Sequence, residues 1–131
     1  MRVGGSCSQD PSCYLVLQQL RLTEQKVKAH EMAHKAVGGQ YAGAVQYSYT
    51  VGPDGRLYIT GGEVSIDLSE ESTPEETIRK MQIVRAAALA PADPSPQDYR
   101  VASQATIKEM KAGLELHMQK QEESHSFELK V

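Results

Sequence analysis

The chain has 131 residues, enough for one small domain with a single core and too few for two. Six Tyr, one Phe and no Trp leave Leu, Ile, Val, Met and Ala to fill that core. The formal net charge is -3, with acids and bases mixed along the chain. No clustered Lys/Arg marks a nucleic-acid footprint, and no apolar run approaches the roughly 20 residues of a membrane span.

Met1 to Cys13 is short and polar, and residues 1–11 read as a flexible segment. Tyr14-Leu15-Val16-Leu17 stops at Gln18-Gln19, too short for the roughly 7–15-residue apolar region of a secretory signal, and no small-residue cleavage site follows. A cytoplasmic protein is the default, with export open if a leader has been lost. Cys7 and Cys13 are the two cysteines. They read first as reduced thiols in a loose end. A local disulfide in an exported protein, or a thiolate that reaches a metal and blocks it, are the alternatives.

Residues 12–37 predict one long helix, or two meeting near Leu22-Thr23, with Ser12 as the cap. Leu15, Leu20, Val27 and Met32 are among its apolar positions, and Gly38-Gly39 ends it. From Ala44 to Thr50, Val45, Tyr47 and Tyr49 alternate with Gln46, Ser48 and Thr50, the period of a strand with one dry face. Gly52-Pro53-Asp54-Gly55 is a turn, and Arg56 to Thr60 is the return strand of a β-hairpin. Gly61 to Asp67 reads as a third short strand, swung back by a tight turn at the glycines. Thr73-Pro74-Glu75-Glu76 starts a helix, with Thr73 as cap, Pro74 in first position and Glu76 as reciprocal partner. Ile78, Met81, Val84 or Arg85, and Ala88 mark one of its faces, and Pro91 stops it. Ser95-Pro96-Gln97-Asp98 starts the last helix by the same logic. Its buried stripe is predicted at Val101, Ala105, Ile107, Met110, Leu114 and Met118, with Gly113 a local weakness. Residues 120–131 form a polar tail. The fold class is α+β: one domain over residues 12–119, with a long helix, a short antiparallel hairpin and two C-terminal helices.

His30-Glu31-Met32-Ala33-His34 lies near the end of the first helix and reads H-E-x-x-H, the short metalloprotease signature. Imidazoles four residues apart share one helix face, so both can bind one tetrahedral Zn²⁺. Glu31 sits beside them, where a carboxylate can take a proton from an activated water. Hydrolysis needs a third protein ligand and an open position. Glu63, Asp67, Glu75, Glu76, His117 and His125 are candidates. Glu63 is preferred, because two glycines before it permit a close backbone approach. Asp67 shares its face and is placed to hold an imidazole N–H from behind. His117 and His125 read as solvated or packed side chains.

The expected chemistry is peptide-bond hydrolysis. Zinc acidifies a water, Glu31 accepts its proton and passes it to the leaving amine, and zinc with a nearby donor holds the oxyanion. Tyr47, Tyr49 and Tyr58 on the hairpin are candidate donors, against ordinary strand packing. A hairpin edge also suits an extended peptide or protein substrate.

Further motifs surround the histidines. Val27 to Gly43, Tyr47-Ser48-Tyr49-Thr50, Gly52-Pro53-Asp54-Gly55 and Gly61-Gly62-Glu63-Val64 occur in order. Met81-Gln82, Arg85 to Pro91 and Pro94-Ser95-Pro96-Gln97-Asp98 follow. Together they resemble a family of bacterial metalloproteases labelled SprA-related, over roughly residues 24–110. The resemblance implies a small zincin-like metallopeptidase with a zinc cofactor. The chain is also similar to a reduced gluzincin, in which two His and a downstream Glu hold zinc. It departs from gluzincins in carrying Glu63 beside strand-like residues and in lacking a sheet before the metal helix. Two other functions compete: a non-catalytic zinc-binding or interaction module that keeps the helix, and a helical partner-binding protein whose histidines are incidental.

Overall fold

The computed structural model describes Cys7 and residues 10–128, with side chains as far as Ser124. The elements are α1 (Pro11–Gly38), a 3-10 turn (Gly39–Tyr41), β1 (Ala42–Val51), β2 (Leu57–Ile66), α2 (Pro74–Ala88) and α3 (Pro96–Glu128). The architecture is α+β, three helices with a two-stranded antiparallel sheet. No helix among the described residues is long and apolar enough to cross a membrane.

α1 is continuous through Leu22-Thr23. Its cap is Asp10 rather than Ser12: the Asp10 carboxylate accepts from the Ser12 N–H at 3.0 Å, and Pro11 takes the first turn, where no N–H is needed. The helix ends as glycine turns the chain, with Gly39 at φ +54°. Cys7 and Cys13 are joined in a disulfide, which replaces the reduced thiols expected from the sequence. A turn closed by the Asp10 N–H donating to the Cys7 carbonyl at 3.1 Å brings their Cα atoms to 5.2 Å, inside the range a disulfide spans. Cys7 is buried against Leu17 and Tyr58 in a small cluster separate from the Met81–Val84–Ala105 core.

The strand patterns at residues 56–60 and 61–67 are one strand. Gly61 and Gly62 stay extended opposite Ser48 and Tyr47, and neither adopts a positive φ. Thr60 is the extra residue of a bulge, since Ser48 pairs Gly61 while Tyr49 pairs Ile59. Gly62 instead serves a close approach of the helix. A Cβ there would meet Glu31 Cγ at 3.0 Å, Tyr47 Cδ1 at 3.2 Å and Val27 Cγ1 at 3.3 Å. The strand therefore lies directly on α1 at the H-E-x-x-H turn.

Thr73 caps α2 as expected, accepting from the Glu76 N–H at 3.2 Å, while the Glu76 carboxylate takes the Ser72 hydroxyl at 3.4 Å. Met81 and Val84 of α2 and Ala105 of α3 form the main core, with Tyr41, Ile66, Leu68 and Val101 packed on it. The predicted stripe on α3 is corrected beyond Val101 and Ala105. Ala102 and Ala112 are buried, while Ile107, Met110, Leu114 and Met118 are 64, 69, 60 and 54% exposed. Small residues line the seam with α2, and the larger apolar side chains lie on the opposite face. Residues 120–128, expected in a polar tail, continue the helix.

Candidate metal centre

α1 presents His30 and His34 one turn apart, and the start of α3 brings Asp98 against both. One ligand atom from each of the three lies within 4.8 Å of the others. His30 Nε2 is 3.1 Å from Asp98 Oδ2, His34 Nε2 is 3.2 Å from Asp98 Oδ1, and the two Nε2 atoms are 3.1 Å apart.

The outer nitrogens fix what the inner ones carry. His34 Nδ1 donates to the Ala87 carbonyl at 2.8 Å, so in the neutral ring Nε2 is the lone-pair nitrogen that faces His30 and Asp98. His30 Nδ1 faces the Asp93 carboxylate at 3.4 Å, a longer contact of the same sense. With both rings neutral and protonated at Nδ1, two Nε2 lone pairs and one carboxylate converge. A proton on one Nε2 or a metal ion joins groups at such spacing. Two imidazoles and one carboxylate are a donor set for a divalent transition metal, with room for further ligands in a tetrahedron. The residues therefore fit a metal ion.

Asp98 is set by the helix it starts. Its N–H donates to Ser95 Oγ at 3.1 Å, and its Oδ2 accepts from the Ser95 N–H at 2.8 Å, a reciprocal capping box. The box holds the carboxylate toward α1 at a side-chain exposure of 14%.

Glu31 is buried, and its Oε2 has no hydrogen-bond partner. Burial pushes its carboxyl above the usual range, His30 and His34 draw it back down, and Asp98 and Glu63 push it up again. A cavity of about 520 Å³ opens beside it. One wall is β2 from Gly62 to Ile66, the other is Ser95, Gln97, Asp98, Val101 and Gln104 of the α3 start, and His30, Glu31 and His34 form its base.

The structure does not bring Glu63 into the triad; Asp98 is the carboxylate there. Glu63 is exposed and lines the cavity without joining the triad. The glycines meant to admit Glu63 to a metal admit the helix to the strand. Asp67 does not hold an imidazole either. It accepts from the Ser69 hydroxyl at 2.6 Å and pairs with the buried Lys80 ammonium at 2.9 Å, while the imidazole partners are Ala87 and Asp93. None of Tyr47, Tyr49 and Tyr58 lines the cavity. Tyr58 is buried and donates to Asp54 at 2.6 Å, and Tyr49 is 56% exposed. Glu75, Glu76 and His117 are exposed and outside the triad, and the side chain of His125 lies outside the described residues. The missed residue, Asp98, was visible in the sequence as part of a helix start.

The model of the SprA-related family matches residues 12–126. The chain belongs to the SprA-related family. The match reaches past both ends of the motif-bearing stretch and takes in all of α2 and most of α1 and α3, so the elements that carry His30, His34 and Asp98 are all part of the SprA-related unit. No curated protein and no solved structure matches the chain.

Proposed function

We propose that the chain is a small zincin-like metallopeptidase, with His30, His34 and Asp98 holding zinc and Glu31 serving as general base and acid. The observation that carries this is the convergence of two imidazoles and a carboxylate beside a buried Glu31 oxygen with no hydrogen-bond partner among the described residues. Zinc in that position supplies an acidified water and a polarised carbonyl. The chain's own groups supply the rest. Glu31 takes a proton from water at its free Oε2 and delivers it to the leaving amine.

The cleft supports an extended peptide. β2 has one strand neighbour, β1, and no β1 residue lines the cavity. Backbone groups on the other edge of β2 can pair with a substrate strand passing Glu31. Glu31→Gln is the test. The variant should bind zinc as the parent does and lose peptide hydrolysis by roughly 100- to 10,000-fold, the usual worth of a general base. Zinc bound without any peptide cleavage by the parent would make the chain a non-catalytic metal module, and a parent that takes up no zinc would end the proposal.

A further inference from the structure

We infer that the cleft selects peptides with a bulky apolar side chain beside the scissile bond, lodged in a pocket formed by Ile66, Leu68, Ala88 and Val101. The inference rests on the peptidase function proposed above and adds a substrate class to it. All four residues line the cavity that opens beside Glu31. Two are tied by sequence to the metal residues. Val101 is three positions beyond Asp98, on the same face of α3, and Ala88 follows Ala87, whose carbonyl holds His34. A side chain seated there is therefore held at a fixed offset from the reacting groups.

Charge disfavours an acidic side chain there, and the aliphatic floor disfavours a basic one. No Lys or Arg lines this cavity. Apart from His30, Glu31, His34 and Asp98, its one ionisable lining residue is Glu63, an exposed carboxylate. An acidic substrate side chain would meet carboxylates and no counter-charge. A basic one reaching the pocket floor would lose its water and find only aliphatic groups. Ile66, Leu68 and Val101 are half-buried, so each retains apolar surface that an incoming side chain can cover. Ser65, Ser95, Gln97 and Gln104 give the mouth neutral polar groups for backbone amides. The cavity, about 520 Å³, falls within the roughly 300–1,000 Å³ of ordinary ligand sites.

Strand addition delivers such a side chain. A peptide paired with the β2 edge presents alternate residues to the face shared by Gly62, Val64 and Ile66, hence to the pocket, and the others to the face of Glu63 and solvent. One apolar residue next to the cleaved bond is the expected pattern, with little selection at its immediate neighbours.

The test has two arms. Zinc-loaded protein is given a peptide mixture and the cleavage sites are read by mass spectrometry. Leu, Phe or Met should be favoured at one position by at least tenfold over Gly, Ser or Asp, within the roughly 10- to 200-fold an apolar pocket discriminates. Val101→Phe, which fills the pocket, should lower the ratio of kcat/KM for Leu over Ala peptides by tenfold or more. Gln104→Trp narrows the mouth from an exposed position and serves if Val101→Phe fails to fold. In the second arm, zinc-loaded Glu31→Gln protein is titrated with fluorescent Leu- and Asp-containing peptides, and the Leu peptide should bind at least tenfold tighter. Cleavage with no apolar preference, or with a charged one, overturns the pocket and leaves the peptidase. Selective binding by Glu31→Gln without cleavage by the parent overturns the peptidase and leaves the pocket. Neither binding nor cleavage overturns both.

Discussion

Zinc-dependent thermal stability distinguishes Asp98 from Glu63 as the third carboxylate. His30 and Asp98 are 68 residues apart in sequence, so an ion between them ties α1 to the start of α3. Such an ion binds the folded chain and stabilises it by RT ln(1 + [L]/Kd), about 2.7 kcal/mol at a hundredfold excess over Kd. An unfolding entropy of about 2.1 cal/mol/K per residue, taken over the whole chain, turns that into a Tm rise of roughly 10 °C. Loss of a direct donor should weaken binding by at least the ~100-fold seen for strong outer partners of a metal. At the same free zinc that leaves about 0.4 kcal/mol, or roughly 1.5 °C. Asp98→Ala also removes the partner of Ser95 and costs the zinc-free protein the ~1 kcal/mol of a helix cap, so the zinc-induced difference is the quantity to compare. Glu63→Ala should keep the full rise, because its side chain is exposed and outside the triad. The assay is calorimetry of chelator-stripped protein with and without zinc. A rise lost in Glu63→Ala and kept in Asp98→Ala would refute the assignment, and no rise in the parent would refute the metal site itself.

Gly62→Val should destabilise by about 1–3 kcal/mol through overpacking, because even a Cβ there lies 3.0 Å from Glu31 Cγ; an unchanged urea midpoint would contradict the close approach of α1 and β2. Asp67→Ala should cost on the order of 1–3 kcal/mol by leaving the buried Lys80 under-satisfied, yet leave zinc affinity unchanged by calorimetric titration; weakened zinc binding would return Asp67 to the metal site. Acid sensitivity has a definite sign. Ser69 and Lys80 hold the Asp67 carboxyl below its usual range, and Arg85 and Gln82 do the same for Glu109. Folded values below the unfolded ones of about 3.9 and 4.3 give stability that is present above those unfolded values and lost as pH falls through the folded ones. The difference in urea midpoint between the parent and Asp67→Asn/Glu109→Gln should therefore shrink below about pH 4, and a difference independent of pH would contradict it.

Local features of the fold were legible in the sequence, and those that depend on what packs where were not. The four-residue spacing of His30 and His34 decides their common face within a single helix, and Thr73-Pro74 decides where α2 begins. Glu63 was preferred for the two glycines before it, yet Gly62 admits α1 to β2 and the carboxylate grouped with the histidines is Asp98, a tertiary contact that no local pattern contains. Asp98 carried a signal, the Ser95-x-x-Asp98 box, but that signal specifies a helix start and says nothing of which helix lies opposite. On α3 the stripe Ile107, Met110, Leu114 and Met118 has the periodicity of a buried face, and so does Ala102, Ala105 and Ala112 on the other side. The small residues face α2 because they let it come close, and hydrophobicity alone ranks the two faces in the wrong order.

The first turn of α3 has an electrostatic consequence for the ion. Unpaired peptide N–H groups give the start of a helix about half a positive elementary charge, which repels a cation. A neutral third imidazole at position 98 would leave that repulsion standing, whereas a carboxylate opposes it. Asp98 Oδ2 already accepts from the Ser95 N–H while facing His30, and Oδ1 faces His34. A metal bound there would draw on the same negative charge as the helix dipole. Filling the centre would withdraw some of it from the helix, so the strength with which α3 holds its own first turn would set how tightly an ion is kept.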